Sequence, residues 1–513
     1  MYGPAGSGNL TSTAAGDQRP LAILGSGRRN THVATLEGLE EGQSYEYKVV
    51  EDSLESEVFT FTLKKEHHDT GPDLHVVFGD MGASHAFSLC LACNASSTVC
   101  DAEACAGNTT VGLVSEVDEA AMFLHVGDFA YNFDSDSGKT GDQFMNNIEQ
   151  VAARLPYMIS HGNHEDSPAN LAHFTERWRN MPSNTTPYTT LAGKSVNNPL
   201  YYSWDSGLVH YIAVSTELWF GVGLEIGVEL KSQLEWLEED LKAANANRDN
   251  VPWVIAHSHR DIYCSTGDDD DCNNATTGDA GKVRKDLEPL FYEYGLDLWI
   301  NGHEHNYERT FPVYEELSED SNINPNATIY IVTGAAGSQE MHESFTKTPP
   351  SWSAFRSNSF GYSRMYVHNA THIHWQQVQT DPTLFPTSDY GRVIDDTWIV
   401  QENHGPFNKA NAPKGRAFPI GHDSVERTHD HWAELLDIGY DGTVPLSTLI
   451  REFREKYGDD KWGEKEAQLM RHVNHLMASE GKTQWEDVRD DGSSDGEYFR
   501  WIEKHPHSAD EAA

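Results

Sequence analysis

Five short apolar runs in this chain each break off at a side chain of the kind that binds metal ions. They end at GDMG (Gly79 to Gly82), GDFAY (Gly127 to Tyr131), GNHE (Gly162 to Glu165), AHSH (Ala256 to His259) and GHEH (Gly302 to His305). Between them lie stretches of helical character, near residues 111–121, 142–155, 230–243 and 283–294. Strands alternating with helices predict βαβ units and a largely parallel core. In open α/β sheets the working residues gather at the carboxyl ends of the strands, and all five motifs sit at such ends. The side chains arrive in a fixed order: carboxylate, carboxylate with phenol, amide with imidazole, then three imidazoles. That order predicts a site for two metal ions.

The rest of the chain divides around this core. Residues 1–65 alternate apolar and polar positions in THVATLEGLEEGQSYEYKVV and SEVFTFTL, with a turn at Gly42. They predict part of a small fibronectin type III-like β-sandwich, followed by a polar linker ending at Gly71-Pro72. Residues 70–405 form the predicted α/β domain. Its late runs IYIVTGAAG, RMYVHN, THIHWQQV and DTWIVQ are rich in β-branched and aromatic residues, and predict a second sheet packed on the first. Residues 406–513 read as a charged, helical extension. Within it Asp437, Asp441 and Gly442 fall at EF-hand loop positions, but Gly439 and Thr448 stand where oxygen donors are required, so calcium is not expected there.

Charge and cysteine content narrow the partners and the compartment. With 80 acidic and 37 basic residues the net charge is −43, which argues against nucleic acid or an anionic membrane as partner. A small anionic substrate stays open, because bound cations would dominate the field inside the site. No apolar run reaches the ~18 residues of a membrane span. Cys90, Cys93, Cys100 and Cys105 crowd one insertion without the spacing of paired zinc knuckles, and Cys264 and Cys272 flank an Asp-rich loop. Disulfides are therefore expected, and with them an oxidising compartment. N-glycosylation sequons at Asn9, Asn94, Asn108, Asn184, Asn274, Asn326 and Asn369 point the same way. The N-terminal MYGPAGSGNLTST lacks the basic flank and apolar core of a signal peptide. The expectation is a truncated or mature piece of a secreted or vacuolar/lysosomal glycoprotein, with a homo-oligomer compatible with all of this.

The five motifs, together with NGHEHNYER, IYIVTGAAG, WSAFRS, VHNATHIHW and IDDTWIVQENHGPF, resemble the purple acid phosphatases, a branch of the metallophosphoesterases, over roughly Tyr2 to Phe407. The resemblance implies a two-sheet α/β sandwich and a dinuclear centre that hydrolyses small phosphate monoesters through attack by a metal-bound hydroxide. It assigns a ferric ion to Asp80, Asp128, Tyr131 and His305, and a divalent ion (zinc, iron or manganese) to Asp128, Asn163, His259 and His303. It also turns His164 towards the substrate.

The residues themselves agree with these roles. Asp128, on a turn tightened by the preceding glycine, offers two oxygens to bridge two cations ~3.5 Å apart. Tyr131 discriminates within the superfamily, since a hard phenolate suits Fe(III) and would give charge-transfer colour. Asn163 gives its ion a neutral oxygen, which favours a divalent cation. His164 can stabilise phosphoryl oxygens or protonate the leaving alkoxide, whereas His161 reads as structural.

The fourth motif departs from the family's VxxH in having Ala256. The resemblance places the ligand at His259, and strand alternation would put His257 on the same face, as a partner of the ligand or a packed side chain. Plant-type members carry an adjacent His pair after this motif. Here Cys264-Ser-Thr-Gly, Asp268 to Asp271 and Cys272 follow, closer to the animal-like branch, which leaves open what besides His164 serves the leaving group. The Asp run reads as a solvated loop. Competing readings are a phosphodiesterase or pyrophosphatase on the same ions, or a non-catalytic phosphate-binding glycoprotein. Competent side chains at every ligand position argue against the last.

Overall fold

A computed structural model of the protein describes residues 1–414 apart from 22–28, 64–71, 84–102, 183, 186, 190–194, 197, 222–227, 268–269, 274–277, 341 and 381–390. The described residues belong to one compact unit, Met1–Ala417. Cys90, Cys93, Cys100, Asn94, Asn274 and the EF-hand-like segment lie outside them, as do the side chains of Cys105 and Asn108. No helix among the described residues is long and apolar enough to cross a membrane.

The core is two sheets packed face to face. In the first, β1 (Asp73–Phe78), β2 (Ala120–His125) and β3 (Tyr157–Ile159) are parallel. All of β1 except Asp73 is buried, which is why it reads as an unbroken apolar run. Against the other edge of β1 run β11 (Gly361–Asn369), β12 (His372–Gln379) and β13 (Val393–Val400), all antiparallel, giving the order β3-β2-β1-β11-β12-β13. The second sheet contains β4 (Tyr202–Ser206), β5 (Val209–Ala213), β6 (Trp253–His257), β7 (Leu298–Asn301), β8 (Tyr307–Thr310), β9 (Ile329–Thr333) and β10 (Ser353–Ser357). Its order is β4-β5-β6-β7-β9-β8-β10, and β5, β6, β7 and β9 are parallel.

One apolar cluster joins the sheets, drawing Val77, Leu124, Met365 and Trp375 from the first and Tyr211, Ile255, Ile300 and Ile331 from the second. A second cluster seats Leu237 and Leu241 of α3 (Leu230–Ala246) and Val283, Leu287 and Phe291 of α4 (Asp279–Tyr294) on Val254 and Trp299. On the first sheet, α2 (Ser135–Ala152) buries Phe144, Ile148 and Val151. Trp253, Trp299 and Trp375 are fully buried, and truncating any one to Ala would cost about 3–5 kcal/mol.

Two expectations change. The late strands do not make a sheet of their own: β9 inserts into the second sheet and β11 to β13 extend the first. A parallel β1 paired only to β2 would leave a row of buried N–H and C=O groups without partners, and β11 supplies them. The helix expected near 111–121 is α1 (Glu103–Glu116), because Ala120 already starts β2.

Ahead of this core, Tyr2–Pro4, Ser44–Tyr47 and Phe59–Thr62 form a three-stranded antiparallel sheet, with a separate hairpin of Asp17–Pro20 and Asn30–Val33. These antiparallel sheets are compatible with the expected partial sandwich. Polar ties fasten them to the core: Arg179 Nη1 to Asp17 Oδ2 at 2.8 Å, Arg29 Nε to Asp142 Oδ2 at 2.7 Å, and the Tyr47 hydroxyl donating to the Ala153 carbonyl at 2.8 Å. Phe407 packs on Tyr292 with ring centroids 5.5 Å apart, so the chain stays on the core just past residue 405.

Candidate metal centre

Each ligand candidate stands just past the end of a parallel strand: Asp80 after β1, Asp128 and Tyr131 after β2, Asn163 and His164 after β3, His259 after β6, and His303 and His305 after β7. Four of them hold a left-handed backbone, Asp80 (φ 60°), Asp128 (51°), Tyr131 (49°) and His303 (73°). For non-glycine residues such conformations cost about 1–3 kcal/mol each and collect at ligand clamps. The motif glycines also make room. A Cβ on Gly162 would lie 2.2 Å from Asp128 Oδ1, and one on Gly302 would lie 2.2 Å from Asp80 Oδ2.

The donor atoms fall into two groups. In one, the Tyr131 hydroxyl lies 3.2 Å from Asp80 Oδ1 and 2.7 Å from His305 Nε2, with His305 Nε2 3.6 Å from Asp80 Oδ1. In the other, Asn163 Oδ1 is faced by His259 Nε2 at 2.8 Å and His303 Nδ1 at 3.0 Å. Asp128 stands between them with Oδ2 3.3 Å from His259 Nε2. Its Oδ1 accepts the His164 backbone N–H at 2.9 Å, which fixes the orientation of the carboxylate. Asp80, Asp128 and His259 offer atoms close enough together to share an ion.

The histidines show that this donor set fits metal ions. In each, the ring nitrogen turned away from the cluster has its own polar neighbour: Val126 O at 3.1 Å from His259 Nδ1, Ser338 Oγ at 3.3 Å from His305 Nδ1, and Asp271 Oδ2 at 2.8 Å from His303 Nε2. The other nitrogen of each ring faces the cluster, where a metal ligand would stand. The charges agree. Burial opposes ionisation of His259, but Asp128 and Asp80 push it up to about 10; burial likewise opposes His305, which Asp80 carries to about 9. Burial pushes Asp80 up, and it outweighs the nearby histidines; at Asp128 burial is overcome by His259 and the carboxyl is held low. Burial, then the two carboxylates, raise the Tyr131 phenol well above its usual range. The two acidic side chains thus draw positive charge into the pocket, which metal cations would supply.

Sequence reasoning passed over several supporting residues. Glu165, fully buried, accepts the backbone N–H groups of Asp128 (3.1 Å), Phe129 (3.2 Å) and Gly162 (3.1 Å), tying the second and third motifs together. Its place in GNHE was the available signal. Asn132 Oδ1 lies 2.9 Å from His164 Nδ1, and Glu343 accepts the His305 N–H at 2.8 Å. Asp271, read as part of a solvated run, lies against His303.

The remaining candidates divide. His257 does not share the His259 environment: its Nδ1 lies 2.6 Å from Ser160 Oγ, its ring packs on Trp204 and burial lowers it to about 3. Strand β6 ends at His257, so alternation does not reach His259. His161 packs on Phe174, also lowered to about 3 by burial. Cys264 and Cys272 form a disulfide, Cα–Cα 5.3 Å. Asn9 and Asn369 are exposed. Asn184 and Asn326 donate through Nδ2, to Ser203 Oγ at 2.7 Å and to the Asn408 carbonyl at 3.0 Å, bonds that a glycan on that nitrogen would disturb.

Ligand side chains gathered at the carboxyl ends of strands in a two-sheet α/β sandwich define a metallophosphoesterase. Residues 74–307 match the calcineurin-like phosphoesterase family, and residues 327–396 match the iron/zinc purple acid phosphatase-like protein C family. The chain is 37% identical over 389 residues to acid phosphatase type 7 of Danio rerio (73% of this chain, 78% of that protein), and 37% identical over 420 residues to acid phosphatase type 7 of Homo sapiens (79% and 85%). Its fold is similar to the structure of purple acid phosphatase PPD1 from yellow lupin (Lupinus luteus) seeds, with TM-score 0.59 and 23% identity over 78% of this chain and 68% of that one. The chain belongs to the purple acid phosphatase family and is a metal-dependent acid phosphatase, and membership implies a dinuclear metal centre.

Proposed function

We propose that the protein hydrolyses phosphate monoesters in mildly acidic solution at a centre of one ferric and one divalent ion, the latter zinc, iron or manganese. The partition of donor atoms about Asp128 carries this reading. A phenol and two carboxylates suit a hard trivalent ion, whereas an amide and two imidazoles beside the shared carboxylate suit a divalent one. Ions held there would supply Lewis acidity to the phosphoryl oxygens and lower the pKa of a water nucleophile.

The chain supplies the acid. His164 Nδ1 is engaged by Asn132 Oδ1 at 2.9 Å, leaving Nε2 turned to the site, 3.9 Å from Asp128 Oδ2 and 3.6 Å from Glu340 Oε1. From there Nε2 can hand a proton to the departing alkoxide. The Tyr131 ring, 4.3 Å from the imidazole, limits its swing. The Cys264–Cys272 disulfide supports a secreted or vacuolar/lysosomal location, and exposed Asn9 and Asn369 support N-glycans there.

The test is the visible spectrum, the metal content and the pH profile of p-nitrophenyl phosphate hydrolysis. Coloured protein holding iron and a divalent metal, fastest below neutral pH, is expected; colourless, iron-free protein would refute the ferric assignment. Faster turnover of a diester or pyrophosphate would shift the reading to those substrates, and coloured but inactive protein would leave a phosphate-binding role.

A further inference from the structure

The Cys264–Cys272 disulfide closes a short loop after the His259 motif, and the residue before its second cysteine is Asp271, in the helical turn Asp270–Asn273. Asp271 is half-buried, with Oδ2 2.8 Å from His303 Nε2 and 3.8 Å from Arg260 Nη1. Arg260 cannot withdraw. Its Nε lies 3.0 Å from both Glu217 oxygens, its Nη1 2.8 Å from Asp279 Oδ2, and its guanidinium 4.2 Å from the centre of the Phe220 ring.

Arg260 Nη1 also lies 3.1 Å from His303 Nε2, so that nitrogen has two competing neighbours. Asp271 accepts an N–H from it; Arg260 can only donate to its lone pair. The two choices have opposite effects on the far side of the ring. A proton on Nε2 leaves Nδ1 with a lone pair directed at Asn163 Oδ1, 3.0 Å away, where a metal ligand belongs. A neutral ring that accepts from Arg260 carries its proton on Nδ1 and cannot bind an ion there. Which of the two neighbours His303 Nε2 bonds therefore decides which tautomer faces the centre.

We propose that Asp271, held by the Cys264–Cys272 disulfide, is the positioning residue of the divalent half-site, keeping His303 Nδ1 unprotonated and turned to the ion. The proposal rests on the two-ion reading above. It gives the disulfide loop a task that the amino-acid pattern alone conceals.

The experiment compares full-length wild type with Asp271→Ala, Asp271→Asn and the double variant Cys264→Ser/Cys272→Ser. Zinc affinity is titrated against a competing chelator after selective removal of the divalent ion. The visible band of the Tyr131 half-site and the thermal midpoint are recorded alongside. Asp271→Ala and the double variant should bind zinc about 10–100-fold more weakly while keeping the band; Asp271→Asn, which retains an acceptor oxygen, should stay within about threefold. Zinc binding by Asp271→Ala within about threefold of wild type, with the band intact, would overturn the proposal. Unchanged affinity in the double variant alone would overturn the role of the disulfide. Should Asp271→Ala melt out, Asp271→Leu, close in volume but without an acceptor, takes its place, and zinc binding within about threefold of wild type by that variant would overturn the proposal. A colourless, iron-free wild type would instead refute the ferric assignment, and the zinc titration would still report on Asp271.

Discussion

Replacing Gly162 with Ala would separate crowding at the site from backbone strain. Gly162 has φ −114° and ψ 174°, an extended backbone that any residue adopts. A Cβ there would lie 2.2 Å from Asp128 Oδ1 and 2.5 Å from Asp128 N, whereas ordinary contact begins at 3.4 Å. The carboxylate, held by the His164 N–H at 2.9 Å, or the loop beneath it, must move by roughly 1 Å to restore a van der Waals separation. A displacement of about 1 Å in a reacting group costs on the order of 100-fold in rate. Overpacking costs about 1–3 kcal/mol, of which about 0.4–1 kcal/mol is offset by the lower entropy of an unfolded chain lacking that glycine. Gly162→Ala should therefore fold cooperatively, losing under about 3 kcal/mol of stability, yet lose about 100-fold or more in kcat/KM together with bound metal. Circular dichroism melts, metal analysis and p-nitrophenyl phosphate kinetics read all three quantities. Wild-type kcat/KM and metal content in this variant would show that Asp128 is not packed against Gly162 as described.

Tyr131→Phe should remove the visible band and leave a cooperative thermal transition; a band that survives would remove the phenol from the iron site. His164→Ala should slow turnover by about 100- to 10,000-fold and Asn132→Ala by roughly 10-fold, and a larger loss in the Asn132 variant would contradict a merely orienting role. His210 lies between Asp205 Oδ1 (2.6 Å) and Asp240 Oδ2 (3.0 Å); burial opposes its protonation, but the two carboxylates raise its pKa. Its folded pKa lies above the unfolded value of ~6.5, so its stabilisation is full below about pH 6.5 and is lost as the pH rises through the folded value. His210→Gln should lower the melting temperature more at about pH 5.5 than at about pH 9, and equal losses at both would refute the linkage. Chelation should lower the melting temperature as well as the activity, because ions bound only by the folded state stabilise it by mass action; an unchanged melt would argue against a buried dinuclear centre.

Local pattern made the ligand-bearing strand ends legible. An apolar run that stops at a glycine and a ligand residue reports both the end of a buried strand and the chemistry placed there, as at Asp80, Asp128, Asn163 and His303. Partners set by distant pairing were not legible. Nothing near Ile329 to Thr333 tells the strand to insert between β7 and β8, and nothing near Gly361 tells β11 to complete the edge of β1. Alternation failed at His257 and His259 because the strand stops between them. Glu165 is adjacent to the ligands, yet its carboxylate acts on backbone N–H groups, which have no residue-type signature. Asp271 was hidden for another reason: a run of acidic residues looks like solvated surface, and the contact that sets Asp271 apart is with His303, 32 positions away in the chain.

The left-handed backbone at Asp80, Asp128, Tyr131 and His303 sets stability and catalysis against each other in this scaffold. Glycine would relieve about 1–3 kcal/mol at each such position while deleting a ligand. Selection of variants for heat resistance with metal withheld would drift towards proteins that keep the sandwich and lose the ligands, whereas bound ions, by stabilising the folded state, would oppose that drift. A robust engineered form should therefore gain its stability away from these four turns, in the N-terminal module or on the outer helices, with the left-handed ligands left as they are.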